Sequence, residues 1–197
     1  MKTPPLDKRY SGSTVLERGT HWLSRQIIKH MELYAKQTHR EPLSYSHAET
    51  LLWNEEARYI TLYDKDKKPY QYFLQEQTMY TVGSRGEGNM ISPAREYYGD
   101  TEILVMAPET PLTDLEIDAQ WQHFISVSWK KYQKGNFLNF ILYFKLAWFL
   151  GSKKDIRDYC YELAAEMQMA ANRWYRGRGC AFVLLYDLYE NQRFNPL

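Results

Sequence analysis

Cysteine is scarce in this chain, and neither sign of charge dominates. The two cysteines, Cys160 and Cys180, form no CxxC pair and no repeated spacing, so neither a disulfide framework nor a zinc site is indicated. No HExxH or ExxH pair occurs, which removes the helical zinc and di-iron templates. His21, His30 and His39 recur every nine residues, an interval that puts successive members on opposite faces of one helix and keeps them from a shared metal. No metal and no cofactor is implied. Lys and Arg total 25 against 24 Asp and Glu, a formal net charge of +1, so a nucleic-acid role would need a local patch. Met1 to Tyr10 (MKTPPLDKRY) has no apolar stretch of the secretory type, and Asp7 with few Arg and Ser argues against a transit peptide. The expectation is an intracellular, reducing compartment.

Aromatic residues are the excess: 17 Tyr, 8 Phe and 6 Trp make up 16% of the chain. Tyr and Trp join large contact area to a polar handle and favour interfaces and stacking sites as well as cores. With 197 residues and an apolar fraction of 44%, there is enough material for one core or two small ones.

Residues 1–13 are polar, contain Pro4-Pro5, and read as an extended arm. Thr14-x-x-Glu17 has the spacing of a capping box and predicts a helix over about 15–38, with Ser46-x-x-Glu49 opening a second, short one. Arg58–Tyr63 and Tyr70–Gln75 are rich in β-formers around Asp64–Pro69 and predict a hairpin, with a further strand over Thr78–Val82. The glycine-rich stretch 83–100 reads as a long loop, and Thr101–Ala107 as another strand. Thr113-x-x-Glu116 caps a helix to about Lys134, and Ser152-x-x-Asp155 one to Tyr175; 181–190 suits a helix or a strand. Between them Gly135–Gly151 (GNFLNFILYFKLAWFLG) is apolar nearly all round, which requires burial in a core, on a partner or at a membrane surface. The expected fold is α+β and mostly helical: a small antiparallel sheet in the N-terminal half and a helical bundle in the C-terminal half. Its parts are the arm 1–13, an α+β part 14–110 and a helical part 111–197, the last two being one domain 14–197 if the seam at 108–111 is not a boundary.

Arg173-Trp-Tyr-Arg-Gly-Arg-Gly179 is the best basic and aromatic patch, with Arg173, Arg176 and Arg178 for phosphates and Trp174 and Tyr175 for stacking. Lys130, Lys131, Lys134, Lys153 and Lys154 would extend it. Arg at a helix C-terminus and Gly177 as its stop account for the same residues without a ligand. Arg85 and Arg95 in the 83–100 loop suit an anionic substrate under a lid, although the loop lacks the Lys-Ser/Thr of a P-loop. His47 and Glu49 fall in the cap of the short helix, where Glu49 is the capping residue. Asp158, Glu162 and Glu166 read as a solvated stripe. Cys160 falls on or beside the apolar face of its helix and reads as buried; Cys180, beside the arginines, reads as the more reactive thiol.

No reaction site outweighs its bland alternative at this level. The leading expectation is a non-enzymatic subunit or adaptor docking into a multi-protein assembly, with Trp129, Phe137, Phe144, Trp148 and Trp174 as anchors. On this view the partners are other subunits, with peripheral membrane contact through 136–150 as a variant. The alternative is a nucleic-acid-binding component using Arg173–Gly179, and the third a small enzyme with 83–100 as its lid.

Overall fold

Thr14-Val15-Leu16-Glu17 has the spacing of a helix cap, yet it forms the middle of a sheet. The computed structural model describes residues 4–94, 101–132, 157–158, 160–175, 185–191 and 194–197. In chain order the strands are β1 (Thr14–Glu17), β2 (His47–Asn54), β3 (Arg58–Tyr63), β4 (Pro69–Leu74), β5 (Thr78–Arg85), β6 (Gly88–Pro93), β7 (Ile103–Pro108), β8 (Lys131–Tyr132), β9 (Arg157–Asp158) and β10 (Phe194–Pro196). The helices are α1 (Trp22–Thr38), α2 (Asp114–Val127), α3 (Cys160–Ala170) and α4 (Leu185–Tyr189). Six strands make one sheet in the order β10-β7-β1-β2-β5-β6, antiparallel throughout, while β3 and β4 pair as a separate hairpin. Helix and strand each account for about 33%.

The mostly helical fold with a C-terminal bundle is therefore overturned. Both faces of β1 and β2 are buried: Leu16, Ala48 and Leu52 pack towards the helices, and Val15 and Leu51 pack with Met79, Ile103 and Val105. A segment sealed on both faces reads as an unbroken apolar run, which periodicity alone does not separate from a helix. The cap signature at Thr14 belongs to strand residues, and the one at Ser46 runs from the residue before β2 into it: in an extended chain, positions three apart point to opposite faces, so the two side chains find separate partners. Thr14 Oγ1 accepts from Gln168 Nε2 at 2.6 Å on one face, while Glu17 pairs with Arg85 on the other.

The other departures are local. The helix expected over 15–38 is β1 followed by α1. The expected loop 83–100 is instead the end of β5 and all of β6 as far as Pro93, joined at Gly86-Glu87, with Gly88 at φ +136° where other residues are strained. Of the helix expected from Ser152 to Tyr175, Arg157–Asp158 is strand β9 and Cys160–Ala170 is α3, while the Ser152-x-x-Asp155 cap lies outside the described residues. The expected hairpin is present, with Tyr59 opposite Phe73 and Thr61 opposite Gln71. At the C-terminal end, β10 pairs with β7, and Phe194 is buried in the cluster that holds Leu16 and Met31. The apolar segment 136–150, with Phe137, Phe144 and Trp148, lies outside the described residues, as does most of 152–159. No helix among the described residues is long and apolar enough to cross a membrane.

Thr113 is a capping box realised as such: its hydroxyl accepts from the Glu116 backbone N–H, and the Glu116 carboxylate accepts from the Thr113 N–H at 2.8 Å. Arg173 grips the same carboxylate from beyond α3, with Nε at 2.6 Å from Oε1 and Nη2 at 3.0 Å from Oε2. The Arg173 guanidinium lowers the Glu116 carboxyl to about 2, against burial that opposes it. A depressed carboxyl stabilises the fold above its free value of 4.5 and loses that contribution as pH falls towards 2. With partial solvent screening, the pair is worth about 2 kcal/mol. Arg173→Met should remove that amount at pH 7 in urea melts, with the deficit shrinking towards pH 2; an equal deficit at both pH values would contradict this role.

Candidate active site

His47 opens β2 and Glu49 lies two residues on, so strand alternation puts both on one face. Cross-strand register supplies their neighbours. Glu17 on β1 stands opposite His47, and Gly83 on β5 stands opposite Glu49, flanked on the same face by Thr81 and Arg85. The result is a cluster of ionisable side chains in which Glu49 is 3% exposed.

Each oxygen of Glu49 is engaged. Oε1 receives His47 Nε2 at 2.9 Å and Arg85 Nε at 2.7 Å, and Oε2 accepts from the Thr81 hydroxyl at 2.7 Å. The other arm of Arg85 reaches Glu17 through Nη2 and Oε2. One oxygen from each carboxylate and a His47 ring nitrogen lie within 4.8 Å of one another, a spacing and ligand set that suits a divalent cation. Arg85 argues against that reading, since its guanidinium already bridges both carboxylates. With His47 charged, two cations face two anions and the cluster is neutral without a metal.

A fifth ionisable residue arrives from far along the chain. Cys160 opens α3, which packs on β2, and it is 4% exposed in the cluster that holds Ala48, the neighbour of His47. The strand β9 ends at Asp158, so the sulfur sits at the start of the helix, where backbone N–H groups lack intrahelical partners. The Cys160 sulfur is coupled to the His47 ring electrostatically, across the strand on which α3 packs. Burial disfavours charge on His47, but the Cys160 sulfur and the Glu49 carboxylate outweigh it and push the ring up to about 10. Burial likewise opposes charge on Glu49, and His47, Arg85 and Thr81 together hold it below the usual carboxylate range.

The residues singled out from sequence fall elsewhere or take other roles. Arg173 is held by Glu116 and by Thr110 Oγ1 at 2.9 Å, Trp174 packs against the core under α1, and the Tyr175 hydroxyl donates to Asn172 O at 2.9 Å. Lys130 Nζ lies 3.3 Å from Glu166, which also takes His123 Nε2 at 3.0 Å, so Glu166 is no solvated stripe residue. Lys131 is exposed on β8. The Trp129 indole N–H donates to Ser126 O at 3.0 Å, and Lys67 Nζ sits 4.2 Å from the centre of its ring. Arg85 is a strand residue bound to two carboxylates, not a lid residue. Arg95, Lys134, Lys153, Lys154, Arg176, Arg178 and Cys180 lie outside the described residues.

The reading of Glu49 as a helix-capping residue is overturned, because it is a mid-strand carboxylate that partners His47. The available signal was His47-x-Glu49 at the start of the apolar run Ala48–Trp53: two polar residues at strand spacing entering a buried segment. Nothing in the sequence ties Cys160 to them across 113 residues.

The raised His47 ring contributes stability below its free value of 6.5 and loses it as pH climbs through about 10. The depressed Glu49 contributes above its free value of 4.5 and loses it as pH falls through its lowered value. The ion pair thus spans neutral pH, and ring-nitrogen NMR should report His47 as an imidazolium at pH 8. A neutral ring there would contradict the geometry. No protein-family model matches the chain, and no curated protein matches it in sequence.

Proposed function

We propose that this chain is a thiol-dependent acyl hydrolase with Cys160 as nucleophile, His47 as its proton partner and Glu49 as the group that orients His47. What supports the reading is a His47 imidazole whose Nε2 is fixed by a buried carboxylate, on the strand against which α3 packs with Cys160 at its start, the two groups being electrostatically coupled. Nucleophile, base and orienting acid in that order are the requirement for covalent acyl transfer.

The chemistry balances with these groups alone. As the sulfur attacks the acyl carbon and forms a thioester, His47 carries the proton that the thiol loses and then returns it to the leaving amine or alcohol. Water then attacks the thioester while His47 takes its proton, and the carboxylic acid and free thiol are restored. Backbone N–H groups of the first turn of α3 are the donors best placed for the tetrahedral oxyanion. Because Cys160 is 4% exposed, an acyl group reaches it only where the surrounding chain opens.

Hydrolysis of p-nitrophenyl acetate by the purified chain tests the assignment. Cys160→Ala should abolish turnover and the acetyl adduct seen by intact mass, and His47→Ala should slow turnover by about 10²–10⁴-fold. Undiminished hydrolysis by Cys160→Ala would overturn it.

A second reading, docking into a larger assembly, is favoured by one observation. The β3–β4 hairpin turns Tyr59 (70% exposed) and Phe73 (48% exposed) outward as a cross-strand pair with ring centres 5.0 Å apart. Paired exposed aromatics suit a partner surface. Tyr59→Ser with Phe73→Ser should leave the thermal melt within a few degrees of wild type and remove co-purifying polypeptides; retention of those polypeptides would contradict it.

A further inference from the structure

Gly83 raises a question that its backbone does not answer. Among the described residues, the glycines with positive φ are Gly12 and Gly88, so Gly83 occupies ordinary strand geometry open to any residue. Glycine inside a strand weakens it unless something must approach closely. What approaches is Glu49. A Cβ on Gly83 would lie 2.6 Å from Glu49 Cγ, 2.9 Å from Oε1 and 3.0 Å from Cδ. The Glu49 side chain therefore lies across β5 in the space a side chain at 83 would fill, with Thr81 on one side and Arg85 on the other.

We infer that Gly83 and Arg85 are positioning residues, which hold the Glu49 carboxylate on His47 Nε2 from the neighbouring strand. This rests on the thiol-hydrolase reading and deepens it, by assigning to β5 the part of the site that fixes the base. Gly83 supplies the room, Thr81 anchors one oxygen, and Arg85 anchors the other while sharing it with His47. Arg85 needs a reason to stay there, and Glu17 provides it. The second arm of the guanidinium is tied to Glu17, which stands opposite His47 on β1, so the clamp is braced across three adjacent strands. Arg85 also separates two carboxylates whose oxygens lie within 4.8 Å and which would otherwise repel each other beside the imidazole. Lysine, a point charge without the planar fork, would not span both carboxylates in the same geometry.

The test uses the full chain with p-nitrophenyl acetate, reading kcat, KM and their pH dependence, with circular dichroism as the check on folding. Gly83→Ala should lower kcat by about 10–100-fold with KM little changed, because Glu49 is pushed off His47 while the acyl site is untouched. Arg85→Met should do the same and also move the acid limb of the pH profile to higher pH, since Glu49 loses a cation that favours its charged form. Arg85→Lys should restore part of the rate. Should Arg85→Met fail to fold, Arg85→Met with Glu17→Gln removes one charge of each sign and should fold with the same shifted acid limb. If Cys160→Ala is inactive but Gly83→Ala and the Arg85 variants keep the wild-type rate and pH profile, this inference is overturned while the hydrolase reading stands. If Cys160→Ala retains activity, the hydrolase reading falls first and this inference falls with it.

Discussion

The Glu49 carboxylate is buried between strands, and a charge so placed persists only where fixed donors replace the water it has lost. Those donors are His47, Thr81 and Arg85, and each constrains a different part of the chain. His47 ties the carboxylate to the start of β2 and is coupled electrostatically to Cys160 at the start of α3. Arg85 ties it to Glu17 at the end of β1. The register Glu17 opposite His47 and Glu49 opposite Gly83 is thus set by charge as well as by the apolar residues on the other face. A slip of one residue in β2 would turn Glu49 towards the helices and Ala48 towards Arg85, so the polar and apolar faces enforce the same pairing.

Placement of the thiol follows from the same scaffold. α3 lies on β2 with Leu163 and Met167 in one core cluster and Cys160, Tyr161 and Ala164 in another. Gln168 is pinned from both sides, donating to Thr14 Oγ1 at 2.6 Å and accepting from Asn191 Nδ2 at 2.7 Å. These contacts fix the helix along its length, so its first residue is delivered to the end of β2 by packing far from the reacting atoms. On the hydrolase proposal, a nucleophile on a packed helix and a base on a central strand would have little freedom to lose on reaction.

What was legible in the sequence is what is decided locally. The hairpin at Arg58–Leu74 follows from its turn, where Asp64 accepts from the backbone N–H groups of Asp66 and Lys68, both at 2.9 Å. The Thr113 capping box is real because an exposed first turn lets both side chains fold back. The same letters at Thr14 and Ser46 misled because neighbouring strands outbid the local cap: Ser46 Oγ accepts from Gly19 N–H at 3.1 Å, and Glu49 goes to His47 and Arg85. The candidate site was illegible for a related reason. It draws on residues 17, 47, 49, 85 and 160, and apart from His47-x-Glu49 no spacing among them points to the others. Arg173 illustrates the converse: a basic residue in an attractive motif is occupied by a carboxylate at the start of another helix.

The measurement that bears most directly on the coupling of Cys160 to His47 is the rate at which iodoacetamide alkylates Cys160 in the native chain, followed by peptide mapping. The account predicts that Cys160 reacts in the folded protein and that His47→Ala, with its fold intact, slows the reaction by about 10-fold or more. A rate unchanged by His47→Ala, or a Cys160 that reacts only after unfolding, would mean that the thiol is a packing residue and the buried charge cluster a structural one.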